Sequence, residues 1–129
     1  MRPRIWGYMA AAGIAGSLLR YGIGAVLNPQ NPAAFPWGTL TANLLGCLLL
    51  GWLTAQSGLL ARYMGAEARA AVTTGFVGAF TTFSALGLET VRLLAANASQ
   101  TAAVYVAFSV LAGLAAVWCG AKIGGGLPS

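Results

Sequence analysis

Four stretches of the chain run apolar for long enough to cross a bilayer, at roughly 5–27, 37–60, 70–96 and 101–121. A spanning α-helix needs about 20 predominantly apolar residues, so the pattern predicts an all-α membrane protein: four transmembrane helices in a single domain over 1–129. Short polar breaks separate them. The first, 28–36, holds Pro29, Pro32 and Pro36 with Asn28 and Asn31, residues that stop a helix and turn the chain at the interface. The third stretch interrupts its own pattern. From Gly75 to Ser84 it reads Gly-Phe-Val-Gly-Ala-Phe-Thr-Thr-Phe-Ser, a poor continuous helix, because Gly costs about 1 kcal/mol against Ala and β-branched Thr loses rotamer freedom. Backbone groups freed at membrane depth must line a cavity, meet an ion or be buried in protein. The pattern therefore predicts a third helix broken near its middle, and marks that break as the first place to look for function.

Polar side chains inside the spans are few, and each is a functional candidate because burying it in lipid is costly. Thr39, Asn43 and Gly46 or Cys47 share one face of the second span at helical spacing, and Tyr105, Ser109 and Gly113 share one face of the fourth. Each face offers a line of neutral hydrogen-bonding groups; interhelical hydrogen bonding is the bland alternative for Asn43. Gly13, Ser17, Arg20 and Gly24 form a stripe on the first span, and Gly46 with Gly51 thins the second, which reads as close helix packing. Arg20 admits two readings: a charge that concentrates anions, or a side chain that snorkels to the headgroups. Phe83 is ordinary packing by default, but its place beside the broken backbone allows its ring edge to meet a small anion. Cys47 and Cys119 lie far from any metal-binding spacing and read as packing residues.

Composition narrows the class. The chain is 58% hydrophobic and 7% charged, with a mean hydropathy of +0.76, so no soluble catalytic or nucleotide-binding module is left over. The net charge of +5 comes from basic residues scattered one or two at a time, without the patch that tracks phosphates, which argues against nucleic acid. Four spans place Arg2, Arg4, Arg62, Arg69 and Lys122 on one side of the bilayer and Arg20 and Arg92 toward the other, a bias that favours cytoplasmic termini. Four helices alone make a thin bundle, so a second copy is expected. Only Glu67 and Glu89 are acidic, neither in the first, second or fourth span, and no pair of membrane carboxylates is offered. Cation and proton pathways ordinarily use such carboxylates; amide, hydroxyl and phenol donors favour an anion. With no His, no metal-ligand cluster and no phosphate loop, nothing supports an enzyme.

Gly38-Thr-Leu-Thr-Ala-Asn-Leu-Leu-Gly46 and Thr73-Thr-Gly-Phe-Val-Gly-Ala-Phe-Thr-Thr-Phe-Ser84 closely resemble the two signature stretches of the Fluc (CrcB) fluoride channels, and the likeness extends over the whole chain. The resemblance implies an antiparallel dual-topology dimer in the bacterial inner membrane, with two fluoride pores and a central structural Na⁺. It implies that the backbone carbonyls of Gly78 and Thr81 hold the sodium, two from each subunit. It further implies that Asn43 and the Phe83 ring edge contact fluoride, that Tyr105 and Ser109, with Thr39, continue a polar track, and that Arg20 sits in the aqueous vestibule. One position departs from the pattern: Leu86 stands where the family usually has a second phenylalanine, and Phe80 occupies a position commonly given to Leu, so the role is not carried to it. Two alternatives to passive fluoride efflux stand beside this expectation. One is a small four-helix multidrug exporter, which would need a Glu that 9–24 lacks. The other, suggested by Leu86, is a non-conducting subunit of a heterodimeric channel with a paralogous partner.

Overall fold

Proline and glycine punctuate the chain where its helices begin and end. The structure, a computed structural model, describes residues 3–126; Arg2, counted in the charge bias, and the end of the tail at 127–129 lie outside the described residues. Helix α1 runs over Arg4–Leu27, and α2 over Trp37–Ala55 begins directly after Pro36. A short helix α3, Ser57–Tyr63, follows. Helix α4 occupies 66–80, in three parts: Ala66–Ala70, a π-helical stretch Ala71–Val77, and Gly78–Phe80. Helix α5 is Phe83–Ala95 and α6 is Ser99–Ile123. All described secondary structure is helical. The segments Arg4–Leu27, Trp37–Ala55, Ala66–Ala95 and Ser99–Ile123 are long and apolar enough to cross a membrane.

The second span ends earlier than the 37–60 expected from hydropathy. Leu59 and Leu60 extend the apolar run, but Gln56 leaves helical geometry and the chain restarts as α3, whose Leu59 is exposed. Gln56-Ser-Gly58 carries that signal. The turn between α5 and α6 is closed by Asn97 at φ 58°, a left-handed position that Asn tolerates, with the Ala98 amide donating to the Leu93 carbonyl at 2.9 Å.

Helix α2 is the centre of the bundle. Of its most apolar window 39% is buried, against 6% for α1, whose Ile14, Leu18 and Tyr21 face outward. Its closest neighbour is α6, and glycines explain why. A Cβ on Gly120 would collide with the Leu48 carbonyl, and one on Gly51 with that of Val117. Backbones this close gain van der Waals contact along their length, the force that associates helices where lipid is as apolar as leucine. Helix α1 instead lies on α4: a Cβ on Gly16 would collide with the Phe76 carbonyl. The small-residue stripe of Gly13, Ser17 and Gly24 marks the right helix but passes over Gly16, the tightest glycine on α1.

Replacing Gly120 with Val should therefore lower the stability of the α2–α6 pair by about 1–3 kcal/mol, the usual cost of overpacking. Thermal unfolding in detergent would register it, and Gly58→Val, where an added Cβ meets nothing within 4 Å, should behave as wild type.

Candidate functional site at the Thr81–Thr82 segment

Helical geometry stops at Phe80. Thr81 (φ −86°, ψ 156°) and Thr82 (φ −151°, ψ 117°) are extended, and helix resumes at Phe83. Each end of this segment has a specific partner. The Asn43 carboxamide faces Thr82 and bonds it twice: Nδ2 donates to the Thr82 carbonyl at 3.1 Å, and Oδ1 accepts the Thr82 amide at 2.7 Å. Thr82 then caps α5, its Oγ1 accepting the Ala85 amide at 3.1 Å, as an N-cap threonine does. Arg20 reaches from α1, its Nε donating to the Ala79 carbonyl at 3.0 Å. Thr81 turns back, donating both its amide (3.0 Å) and its hydroxyl (3.1 Å) to the Val77 carbonyl. Its side-chain methyl lies against Gly46, where a Cβ would collide with it; that glycine lets α2 come close enough for Asn43 to reach.

Gly78 O and Thr81 O are among the carbonyls that lose their ordinary helical partners in consequence. The Thr82 amide, which would close on Gly78 O in a continuous helix, is taken by Asn43, and the Ala85 amide, which would close on Thr81 O, is taken by Thr82 Oγ1. Gly78 is exposed, with nothing within 4 Å of where a Cβ would lie, and Thr81 is half-buried.

Of the candidate residues, the structure gathers Asn43, Thr81, Phe83 and Ser109 along one open groove of about 400 Å³, with Leu86 on its wall. Phe83 projects from it, 86% exposed. Ser109 Oγ is buried there without a hydrogen-bond partner, a costly state unless something else visits it. Asn43 spends one amide proton on Thr82 and has a second to give.

Thr39 and Tyr105 stand apart from that groove. Thr39 Oγ1 donates to one carboxylate oxygen of Glu89 and Tyr105 Oη to the other, both at 2.6 Å, with Tyr105 fully buried. Asn28 adds Nδ2 toward Thr39 Oγ1 at 3.4 Å and accepts the Gly38 amide at 2.7 Å, so it also caps α2. From the sequence, Glu89 is only an acidic residue outside the first, second and fourth spans, with no pair offered for it. In the structure this carboxylate, within the third span as the sequence reading allowed, gains two hydroxyl donors and so joins α2, α5 and α6. Asn28, which the sequence presents as loop punctuation, is part of the same network. Phe80, one turn before Phe83, is buried, stacks on Phe76 with centroids 5.7 Å apart, and does not line the groove.

The fold defines a class: an all-helical, multi-pass membrane protein with four membrane-capable helices. Comparison with known proteins gives its family. The family described as CrcB-like protein, Camphor Resistance (CrcB), matches residues 7–121, and the chain belongs to that family. It is 44% identical to the fluoride-specific ion channel FluC of Stutzerimonas stutzeri over 87% of this chain and 90% of that one. It is 42% identical to FluC of Thermus thermophilus over 92% and 94%, and 43% identical to FluC 2 of Geobacillus kaustophilus over 84% of each. These relatives are ion channels, not enzymes.

Truncating Glu89 to Ala should strand a buried tyrosine hydroxyl and Thr39 together. The expected loss of stability is about 1–3 kcal/mol, read as a drop in thermal unfolding temperature, with Glu89→Gln losing less because it keeps an acceptor.

Proposed function

We propose that the chain is a fluoride-selective channel of the bacterial inner membrane through which cytoplasmic fluoride leaves passively, which lowers its toxicity. Membership of a family whose relatives are named fluoride-specific ion channels supports this. The observation that carries it here is the groove in which Asn43, Phe83 and Ser109 meet. Fluoride is small and holds its water strongly, so a path must replace that water with donors. Asn43 has an unspent amide proton, Ser109 a buried hydroxyl without a partner, and Phe83 an exposed ring whose edge is electropositive. Thr39 and Tyr105, expected along the same polar track, stand one turn outside the groove with their protons on Glu89, so in this reading they hold the helices that carry Asn43 and Ser109.

The working unit in this reading is an antiparallel dimer of two copies inserted in opposite orientations, with an interrupted third helix near the dimer centre. The freed carbonyls of Gly78 and Thr81 suit a hard cation, which takes oxygen ligands, and four of them across the dimer would hold Na⁺. Bound there, the ion supplies a fixed charge that satisfies carbonyls otherwise stranded in lipid. It is structural and is not transported. Leu86 keeps a second reading in view, a heterodimer with a paralogous subunit that brings a ring to the groove.

Purified protein reconstituted alone should release fluoride from liposomes and retain chloride; equal passage of both would sink the assignment. Asn43→Asp, which replaces the donor with an acceptor, should slow efflux by about tenfold or more. Leu86→Phe distinguishes the two readings: silence of the wild-type chain with recovery in the variant supports the heterodimer.

Sodium should raise the thermal stability of the purified dimer in a concentration-dependent way, as any ligand of the folded state does, while an equal concentration of N-methylglucamine should not.

A further inference from the structure

We infer that Arg20 is a positioning residue: its Nε–H pins the carbonyl end of α4, and this hydrogen bond, rather than free positive charge alone, keeps the Thr81–Thr82 segment in its extended form. Three observations carry the inference. Gly16 brings the α1 backbone directly onto α4 at the Phe76 carbonyl, with Phe80 N 3.1 Å from where its Cβ would be. Arg20 lies one turn further along the same helix face, level with the end of α4. There it donates to Ala79 O at 3.0 Å while only half-buried itself.

The Ala79 carbonyl needs that donor. In a continuous helix it would accept from the amide of Phe83, but the extended residues carry Phe83 out of register. A cation at a helix C-terminus also meets the negative end of the helix dipole. Asn43 holds Thr82 from the α2 side and Arg20 holds Ala79 from the α1 side, so the extended pair is clamped across its two ends. Snorkelling to headgroups would leave Ala79 O without a partner; a purely electrostatic vestibule role would not require Nε to be aimed at it.

Side-chain length makes the test sharp. In Arg20→Gln the amide nitrogen falls at the same number of bonds from the backbone as Nε, so it can donate to Ala79 without charge. Arg20→Lys keeps the charge and moves the donor one bond outward, and Arg20→Met keeps the stem with neither. Amide hydrogen exchange over residues 81–85, measured on the reconstituted full chain, should accelerate about tenfold or more in Arg20→Met, and Arg20→Gln should recover most of the protection. The efflux arm rests on the fluoride reading; the exchange arm does not. At an ionic strength that screens the charge, Arg20→Gln should pass fluoride about fivefold faster than Arg20→Met, reflecting a repaired site. Exchange in Arg20→Met equal to wild type, or Arg20→Gln no better protected than Arg20→Met while Arg20→Lys matches wild type, overturns the inference and leaves Arg20 a vestibule charge. A protected Arg20→Gln in a protein that passes no fluoride would sustain the pin and count against the channel reading instead.

Discussion

A backbone amide and carbonyl at membrane depth must be bonded by something, and at Thr82 that something is one side chain. The Asn43 carboxamide presents an acceptor and a donor in the spacing of a peptide group: it takes the Thr82 amide that a continuous helix would have bonded, and gives the Thr82 carbonyl a further donor. The surrounding arrangement follows. Gly46 must lack a side chain because Thr81 sits against it, and Thr82 must carry a hydroxyl because α5 starts anew and its first amides need a cap. Helix α1 has to run close enough for Arg20 to reach Ala79. Three helices thus converge on two extended residues, and α2 occupies the centre of the bundle because it supplies the bonds at the middle.

The same economy decides which donors remain for a ligand. Asn43 keeps one amide proton, whereas Thr39, on the same face one turn earlier, has given its proton to Glu89. Tyr105 has done likewise, and Ser109, one turn along α6, has not. Each polar line read from the sequence is therefore divided by the structure into a structural end and an unsatisfied end. The structural end joins α2, α5 and α6 through Glu89, and the unsatisfied ends meet beside Phe83. In the proposed channel, rigid support one turn away from the groove is a sensible division, because donors that are held still need no reorganisation when an anion arrives.

What the sequence could reveal follows from the range of each interaction. The four spans rest on composition within a helix length, and they were legible. Asn43 stood out because an amide in a leucine-rich helix has few explanations, and the Gly75–Ser84 stretch because its propensities are local. The Glu89 network was not legible: Thr39 lies 50 residues before it and Tyr105 16 after, and nothing in a lone carboxylate near a span end announces two hydroxyls from other helices. Gly16 and Gly120 escaped for a related reason. Among 18 glycines, the ones that matter are those at helix crossings, and crossings are set by the whole bundle. The π-helical turn at Ala71–Val77 is similar; Val72, Thr73 and Thr74 are poor α-helix formers, but that property alone does not choose a wider helix over a break.

Leu86 can now be placed more closely than the sequence allowed. It is half-buried, packs against the cluster of Leu40, Leu93, Ala102 and Tyr105, and shares the groove wall with Phe83 and Ser109. As an aliphatic side chain it adds to the apolar packing of that cluster. What it changes is the groove, whose second wall has no electropositive edge to offer an anion. In a path built on weak contacts, the loss of one shifts the task onto the remaining groups: the spare proton of Asn43, the unpartnered hydroxyl of Ser109 and the single exposed ring of Phe83. In the proposed channel, a subunit with this groove would depend on those three more heavily than one with two rings, which is why Asn43, already responsible for the backbone at Thr82, is the residue on which both the architecture and the proposed permeation rest.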